Sequence, residues 1–345
     1  MTASGRGASA AEDRLILWLR QKLSQQGFER VGDDAALLPA PPRGGWAATV
    51  DQQIEAVHFL SGTAPATVAR RLLAVNLSDL AAMGAEPVYA LLTVAAPPTF
   101  AFRDFYDSLL RACGKAGVEL VGGDVARAPR LHTSLTLLGR RPRRGRWVRR
   151  RNGRAGDRLW VGGVLGESAA GRLLLAAGAR PSGRGIELPR RFTAAPQVAA
   201  AAKRAVRRHL APRPQLELGR WLGTRRRAAA IDISDGLLLD LERLCRESVV
   251  GALIETSQLP LARHCDDLAT LLGGLPRQDS IRLALSGGED YVLLFSLPPA
   301  VKPPSHFGCT PIGELRRETG VRLEGISRSG LVSGLASTGW DHLRP

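Results

Sequence analysis

The sequence predicts a two-domain α/β protein in which buried strands alternate with helices. The chain has 345 residues, more than a single hydrophobic core usually organises, and 44% of them are hydrophobic. An arginine-rich segment, 140–158, separates two halves that each contain strand patterns and helix patterns. We therefore expect one domain over residues 1–147 and a second over 148–345.

The first half begins with a helix and reaches its clearest helix before Gly84. Ser9-Ala10-Ala11-Glu12 fits a capping box that begins the first helix. In the later helix, Leu73, Leu77 and Leu80 follow the spacing of a buried face, and Gly84 is a plausible stop. Pro87 to Ala96 is apolar enough for a strand covered on both faces. The strand from Val118 is expected to open into a glycine turn at Gly122-Gly123, with the carboxylate of Asp124 at its mouth. The expected elements of this half are strands at 47–54, 87–96, 118–124 and 132–139 and helices at 65–84 and 102–116.

The second half continues the alternation and contains two glycine turns, at Gly162-Gly163 and at Gly287-Gly288. Strand 156–163 leads through a glycine turn into a helix from about Gly166, but both G-x-G-x-x-G and G-x-x-x-x-G-K-[ST] are absent. Strand-to-helix packing is therefore favoured over phosphate binding for these glycines. A strand ends at Asp232, and Ser234 or Asp235 then starts a helix. The other expected elements are a loop at 181–196, helices at 198–210 and 216–222, a strand at 251–255 and an apolar strand within 283–295.

Composition excludes several classes of protein. No apolar run reaches the about 18 residues that a membrane span needs, and no apolar core follows a basic start. We therefore expect a cytoplasmic protein. Its four cysteines have neither metal-ligand nor redox spacing, which favours reduced structural thiols.

The formal charge of +16 raises the question of nucleic-acid binding. Most basic residues are arginines spread over the whole chain, which differs from a binding stripe. The exception is 140–158, where ten arginines surround Trp147. A solvated linker or phosphate-facing loop is the favoured interpretation, and a nucleic-acid patch is the alternative, since only one aromatic residue interrupts the arginines.

Aspartates in apolar segments carry the functional argument. Asn76 and Asp79 share one face of the helix before Gly84, where a carboxylate is unfavourable unless it is paired. Capping of a second helix from Leu80 by Ser78 or Asp79 is the alternative. For Asp33 and Asp34 the alternative is an ordinary turn. The segments in question contain Asp33/Asp34, Asp51, Asp79, Asp124 and Asp232/Asp235.

Carboxylates that converge in one cleft repel unless a cation neutralises them. Oxygen ligands without a Cys/His set favour Mg²⁺ over zinc, and Mg²⁺ commonly completes its shell with substrate phosphates. Metals that neutralise charge and align donor with acceptor are what phosphoryl transfer requires. The pattern therefore predicts metal-dependent phosphoryl transfer.

Six motifs in order closely resemble the thiamine-monophosphate kinase family, and the match runs from about Glu12 to His342. The motifs are Gly32-Asp33-Asp34-Ala35, Thr49-Val50-Asp51 with Val57-His58-Phe59, 76–84, Gly122-Gly123-Asp124, 231–236 and 285–291.

The resemblance implies a two-domain α/β fold similar to that of aminoimidazole ribonucleotide synthetase. In that fold the N-terminal sheets of two subunits form a barrel across a dimer, and the C-terminal α/β domain completes a site begun by the N-terminal metal- and ATP-binding domain. The resemblance also implies direct in-line transfer from ATP to thiamine monophosphate, giving thiamine diphosphate, with several Mg²⁺ ions. No general base is required when the acceptor is an anionic phosphate oxygen.

The resemblance also assigns residues to three groups. Asp33 and Asp240 are weaker metal candidates, and the choice of Arg150 among 149–151 is open. The metal group is Asp34, Thr49, Asp51, Asp79, Asp124, Asp232 and Asp235; the ATP group is Tyr106, Gly123, Arg150 and Ser234; the thiamine group is His58, Glu289 and Trp340.

Four positions depart from the family pattern. Val50 replaces Ser or Thr, so a metal contact there would need the backbone carbonyl, and Ala56 replaces a glycine. Val125 replaces a frequent Thr, and Arg71 replaces a common Lys, which keeps the charge but changes its shape.

Two kinds of rival function are weighed against the kinase. Selenophosphate synthetase uses an early Cys or selenocysteine, whereas the first cysteine here is Cys113. The hydrogenase maturation enzyme ends in a reactive Cys, whereas this sequence ends in Pro345. A basic nucleic-acid-binding protein that uses 140–158 is the rival from a different class.

Overall fold

The computed structural model shows a mixed α/β fold with a four-stranded sheet, a six-stranded sheet and a two-stranded ribbon. The described residues form two units: those up to Leu80 together with Glu86–Arg141, and Ala81–Ala85 together with those from Pro142 onward. The structure describes residues 14–15, 18–19, 21–25, 44–182, 185–193, 195–262, 264, 266–268, 272 and 276–325.

The first unit contains the four-stranded sheet and two helices. In chain order, its elements are β1 Trp46–Ile54, α1 Pro65–Ala82, β2 Glu86–Ala96, α2 Phe102–Ala116, β3 Glu119–Arg127 and β4 His132–Arg140. The strand order in the sheet is β1-β4-β2-β3; strands β2 and β3 pair in parallel, and the other neighbours are antiparallel. Parallel neighbours need a crossover, which helix α2 provides. These elements confirm the predicted strands and the helix that carries Tyr106.

Helix α1 is one continuous helix that is buried on nearly every side. Leu73, Leu77 and Leu80 are buried as predicted, but Asn76 and Ser78 are buried too. Continuity through residue 82 shows that the capping of a second helix at Leu80 is wrong. The stop at Gly84 is confirmed, because this residue adopts a φ of +65°, a left-handed conformation that glycine tolerates without strain.

In the described part of the chain, the second face of the four-stranded sheet is open. Val50 is 60% exposed and Leu91 is 40% exposed, while their neighbours Asp51 and Leu92 are more buried. Side chains alternate between the two faces of a strand, so the described residues cover one face and leave the other exposed. The predicted coverage of the 87–96 strand on both faces is therefore not met among these residues.

The second unit contains the six-stranded sheet, the two-stranded ribbon and five helices of the described part of the chain. In chain order, its elements are β5 Arg158–Val161, α3 Glu167–Ala176, β6 Arg180–Ser182, β7 Gly185–Glu187, α4 Pro196–Leu210, α5 Leu216–Gly223, β8 Ala229–Asp232, α6 Leu237–Ser248, β9 Gly251–Glu255, α7 Pro276–Ser286, β10 Leu293–Leu297, β11 Thr310–Arg316 and β12 Gly320–Glu324. The strand order in the six-stranded sheet is β12-β9-β11-β5-β10-β8. One hydrophobic core packs helices α6 and α7 against this sheet, a second joins α3 and α4, and a third places α5 against β5, β8 and β10.

Two further properties concern the described part of the chain as a whole. None of its helices combines the length and the apolar character needed to cross a membrane. Cys113, Cys245 and Cys309 are free thiols. Burial raises the pKa of Cys113 and Cys245 to about 12, so both are protonated at neutral pH.

Candidate active site

In the first unit, three predicted metal-binding residues lie where β1 faces α1. Thr49 Oγ1 donates a hydrogen bond to Asp79 Oδ2 at 2.5 Å. The backbone N–H of Asp51 donates to Asn76 Oδ1 at 2.9 Å. Because side chains alternate along a strand, Thr49 and Asp51 share the face of β1 that meets α1. Folding thus brings Thr49, Asp51 and Asp79 together from residues about 30 positions apart.

Tyr106 and Asp124 are also close to each other in the first unit. The pKa of the Tyr106 phenol is raised by burial and by the negative charge of Asp124. Asp124 lies in register with Thr93 of β2, well inside β3. The predicted glycine turn with a carboxylate at its mouth is therefore wrong.

Gly123 has a structural reason to be glycine at this point in β3. A Cβ at this position would collide with the backbone oxygen of Leu92 on the neighbouring strand. Close approach of two backbones requires the absence of a side chain. This packing constraint is sufficient to explain Gly123, and its contact with ATP stays a prediction.

His58 lies in a tight turn after β1 and has a defined hydrogen-bond role. Its Nδ1 accepts the backbone N–H of Ile54 at 3.0 Å. A neutral imidazole whose Nδ1 accepts must have its proton on Nε2, so His58 presents Nε2–H as a donor. The same turn explains why the family usually has glycine at position 56. Ala56 has a φ of +67°, a conformation that favours glycine.

In the second unit, Asp232 ends β8 and is buried. The helix that follows begins at Leu237, after Gly236, and not at Ser234 or Asp235 as predicted. The reason is that neither Ser234 nor Asp235 caps this helix; instead both donate their backbone N–H groups to Asp240 Oδ2 at 3.0 Å. Asp240 therefore orders the loop that contains Ser234 and Asp235.

Arg243 neutralises the acids of this loop. Its Nη1 lies 2.5 Å from Asp235 Oδ2 and 2.7 Å from Asp240 Oδ1. The pKa of Asp240 is raised to about 6, first by burial and then by the charge of Asp235, although the backbone hydrogen bond from Asp235 and the contact with Arg243 act to lower it. Asp240 is thus engaged by backbone amides and an arginine, an arrangement typical of a structural carboxylate.

The turn that contains Glu289 lies beside the same loop. The backbone N–H of Glu289 donates to the carbonyl of Ser234 at 2.7 Å, and that of Tyr291 donates to Ile233 at 2.9 Å. Glu289 and Tyr291 have φ values of +60° and +48°, which is unusual for residues with side chains. The structure therefore brings together one predicted ATP residue, Ser234, and one predicted thiamine residue, Glu289.

Asp290 explains the glycine turn before α3. Its buried carboxylate accepts the backbone N–H of Gly166 at 2.9 Å and that of Ser168 at 3.3 Å. Burial raises the pKa of Asp290 to about 7. A carboxylate of the chain itself thus occupies the N-terminus of α3, which agrees with packing and not with phosphate binding at this turn.

The structure does not test the predicted roles of several other site residues. Asp33, Asp34 and Trp340 lie outside the described residues. Arg150 is exposed in a short 3₁₀ turn, Arg150–Asn152, whose first carbonyl accepts the Ser248 hydroxyl. Among the described ranges, no group of three or more His, Cys, Asp or Glu side chains is arranged to hold a metal ion. The metal assignments therefore stay predictions, although oxygen donors such as Thr49, Asp51 and Asp79 fit Mg²⁺ in kind.

Sequence reasoning missed three contributors to these arrangements: Arg243, Asp290 and His209. His209 Nδ1 lies 3.2 Å from Glu289 Oε2. Both Asp290 and His209 act across roughly 80 to 120 positions of the chain, and no local spacing marks such contacts. For Arg243, the i,i+3 relation to Asp240 on a helix was an available signal.

The fold and the acidic motifs define a protein of the AIR synthase-related class. The family model "AIR synthase related protein, N-terminal domain" matches residues 32–140. Thiamine-monophosphate kinase of Salmonella typhimurium is 36% identical over 78% of this chain and 76% of its own length.

Solved structures agree with this similarity. Thiamine-monophosphate kinase from Stenotrophomonas maltophilia K279a matches with a TM-score of 0.74 and 32% identity, over 89% of this chain and 96% of that one. AaThiL complexed with AMPPCP and TMP matches with a TM-score of 0.73 and 29% identity, over 95% and 96%. This chain belongs to the thiamine-monophosphate kinase family, and it is a kinase.

Proposed function

We propose that this chain phosphorylates thiamine monophosphate to thiamine diphosphate by direct in-line transfer from ATP, assisted by several Mg²⁺ ions. The observation that carries the proposal is the hydrogen bond from Thr49 to Asp79, beside Asp51, in the first unit. The relative AaThiL, complexed with AMPPCP and TMP, supports the same pair of substrates.

The carboxylates have a defined task in this reaction. Asp34, Thr49, Asp51, Asp79, Asp124, Asp232 and Asp235 would hold the metal ions. When bound, Mg²⁺ neutralises phosphate charge and aligns donor with acceptor. The acceptor is a phosphate oxygen that is already anionic, so the chain needs no general base.

The remaining residues would bind the two substrates. Ser234 and Tyr106, with Gly123 and Arg150, would contact ATP. His58 would donate from Nε2–H, the Glu289 carboxylate would accept the aminopyrimidine donors, and the Trp340 ring would face the cationic thiazolium. We also propose that residues 1–147 form the N-terminal domain and residues 148–345 the C-terminal domain.

The open face of the four-stranded sheet supports a homodimer. Val50 and Leu91 are exposed large hydrophobic residues on that face. A sheet face of this kind can be buried against the same face of a second copy. We place the barrel across a dimer at this surface.

The test is incubation of the purified protein with ATP, Mg²⁺ and thiamine monophosphate, followed by chromatography. Thiamine diphosphate and ADP should appear in equal amounts, and EDTA should stop their formation. Thiamine in place of thiamine monophosphate is the matched control, and it should give no product. Absence of thiamine diphosphate across a range of Mg²⁺ concentrations and pH values would contradict the proposal.

A further inference from the structure

A buried histidine contacts the predicted thiamine-binding carboxylate. His209 lies near the end of α4 and is 3% exposed. Its Nδ1 lies 3.2 Å from Glu289 Oε2 and 3.3 Å from Ser168 Oγ. The contact joins α4 to a turn 80 residues further along the chain.

The approach of His209 to Glu289 is a contact between a ring nitrogen and a carboxylate oxygen, at an ion-pair distance of 3.2 Å. The hydrogen bond at His209 Nδ1 is with Ser168 Oγ. A proton on Nδ1 makes the contact with the carboxylate attractive, because a carboxylate oxygen is negatively charged. Glu289 Oε2 is buried, while the Glu289 side chain as a whole is 21% exposed. The histidine therefore lies against the buried carboxylate oxygen, and the rest of the side chain keeps access to solvent.

Helix α4 also holds the backbone of the same turn. Arg208 Nη2 donates to the carbonyl oxygen of Asp290 at 2.9 Å. Asp290 is in turn fixed by the N–H groups of Gly166 and Ser168. Two consecutive residues of α4 thus engage two consecutive residues of the turn, in which Glu289 adopts its positive φ of +60°. A positive φ at a side-chain-bearing residue persists only where surrounding contacts fix it.

We infer that His209 is a positioning residue that fixes the Glu289 carboxylate for the aminopyrimidine end of thiamine monophosphate. The inference rests on the proposed function, because it assigns substrate orientation within that reaction. Since His209 acts through Glu289 and not through the nucleotide, its loss should weaken the use of thiamine monophosphate more than the use of ATP.

The experiment compares three substitutions at this position. His209→Leu removes the donor, His209→Asn places an amide nitrogen near the position of Nδ1, and His209→Gln places it near Nε2. His209→Leu should raise the KM for thiamine monophosphate about tenfold, the order expected when one polar contact with a charged group is lost, and should change the KM for ATP less than about twofold. His209→Asn should restore most of the loss, and His209→Gln should not.

Two controls separate positioning from folding. His306→Leu replaces an exposed histidine of the same unit and should leave both KM values unchanged. Glu289→Gln combined with His209→Leu should cost little more than either change alone, because both remove the same contact. If His209→Leu does not fold, the comparison of His209→Asn with His209→Gln carries the test.

The outcomes are distinguishable. An active wild type whose KM for thiamine monophosphate is unchanged in His209→Leu, or changed as much as that for ATP, would overturn the positioning role alone. A folded wild type without kinase turnover would overturn the proposed function, and the positioning role with it.

Discussion

The two groups of acids in this chain are stabilised by different kinds of partner. In the first unit, Asp79 accepts a hydrogen bond from the neutral hydroxyl of Thr49. In the second unit, Asp235 and Asp240 share the guanidinium of Arg243. A hydroxyl leaves the charge of a carboxylate unchanged, whereas an arginine offsets it. The Thr49 contact therefore leaves the charge of Asp79 in place, whereas the Arg243 contact offsets the charges of Asp235 and Asp240.

This difference predicts which substitutions affect activity and which affect folding. Loss of an acid from the first group should reduce turnover with little effect on stability. Disruption of the second group should also reduce stability, because Asp240 orders the 234–235 loop through two backbone hydrogen bonds. Four measurements on variants of the two groups test this difference.

The largest expected effect is on the turnover of Asp79→Asn. Removing one metal ligand should lower kcat at least about 100-fold, since it costs a few kcal/mol at the transition state. The melting temperature should stay close to that of the wild type. Asp104→Asn, at an exposed acid of α2, is the control and should be fully active. Turnover near the wild-type value would leave Asp79 with a structural role only.

The second effect is on the stability of Arg243→Gln. This change leaves Asp240, which is buried, beside Asp235 without the shared cation. Because breaking a buried ion pair is costly and Arg243 is partly exposed, the free energy of unfolding should fall by about 2 kcal/mol. Urea denaturation in EDTA measures it, and Arg243→Gln combined with Asp240→Asn should regain part of the loss. An unchanged urea midpoint of unfolding in Arg243→Gln would mean that the contact of Arg243 with Asp240 contributes nothing to stability.

The third effect is a pH dependence that belongs to Asp240. Its pKa in the folded protein is about 6, above the ordinary value of 3.8, so the folded state binds the proton more tightly than the unfolded state. The contribution of Asp240 to the free energy of unfolding is therefore most favourable below pH 4 and is lost as the pH rises to 6. In EDTA, Asp240→Asn should remove this downward slope. Identical slopes in the two proteins would contradict the burial argument.

The smallest effect is on the stability of Ala56→Gly, in the turn that follows β1. Strand β1 carries Thr49 and Asp51 of the first group. Ala56 has a positive φ, so Ala56→Gly should raise the free energy of unfolding by about 1 kcal/mol. Ala112→Gly, within the regular helix α2, should lower it by about the same amount. Thermal denaturation of both variants is sufficient. A loss in both would show that the Ala56 conformation carries no strain.

Local pattern predicted much of the fold. The spacing of Leu73, Leu77 and Leu80, with Gly84 as the stop, predicted α1 because helical periodicity and a left-handed glycine are local signals. The prediction of a glycine turn at Gly122-Gly123-Asp124 was wrong, because these residues lie within β3. Gly123 allows the backbone of β3 to approach Leu92 of the neighbouring strand closely. Tertiary packing decided the outcome there.

The site was predictable to the extent that its motifs are local. Thr49 and Asp79 were named from their motifs, but the hydrogen bond between them depends on how β1 packs on α1. His209 lies in none of the motifs and Asp290 lies in one, but the roles of both follow only from contacts between distant parts of the chain. The start of α6 at Leu237 was missed because Asp240, inside the helix, binds the backbone amides of Ser234 and Asp235 and holds both residues in the loop before the helix.

The most direct test of the account measures the rate of thiamine diphosphate formation against Mg²⁺ concentration in the wild type, Asp79→Asn and Asp235→Asn. If carboxylates of both groups hold metal for one reaction, each variant should need at least about tenfold more Mg²⁺ for half of its maximal rate, the effect of losing about 1.4 kcal/mol of metal binding. Half-maximal Mg²⁺ concentrations equal to that of the wild type in both variants would contradict the account.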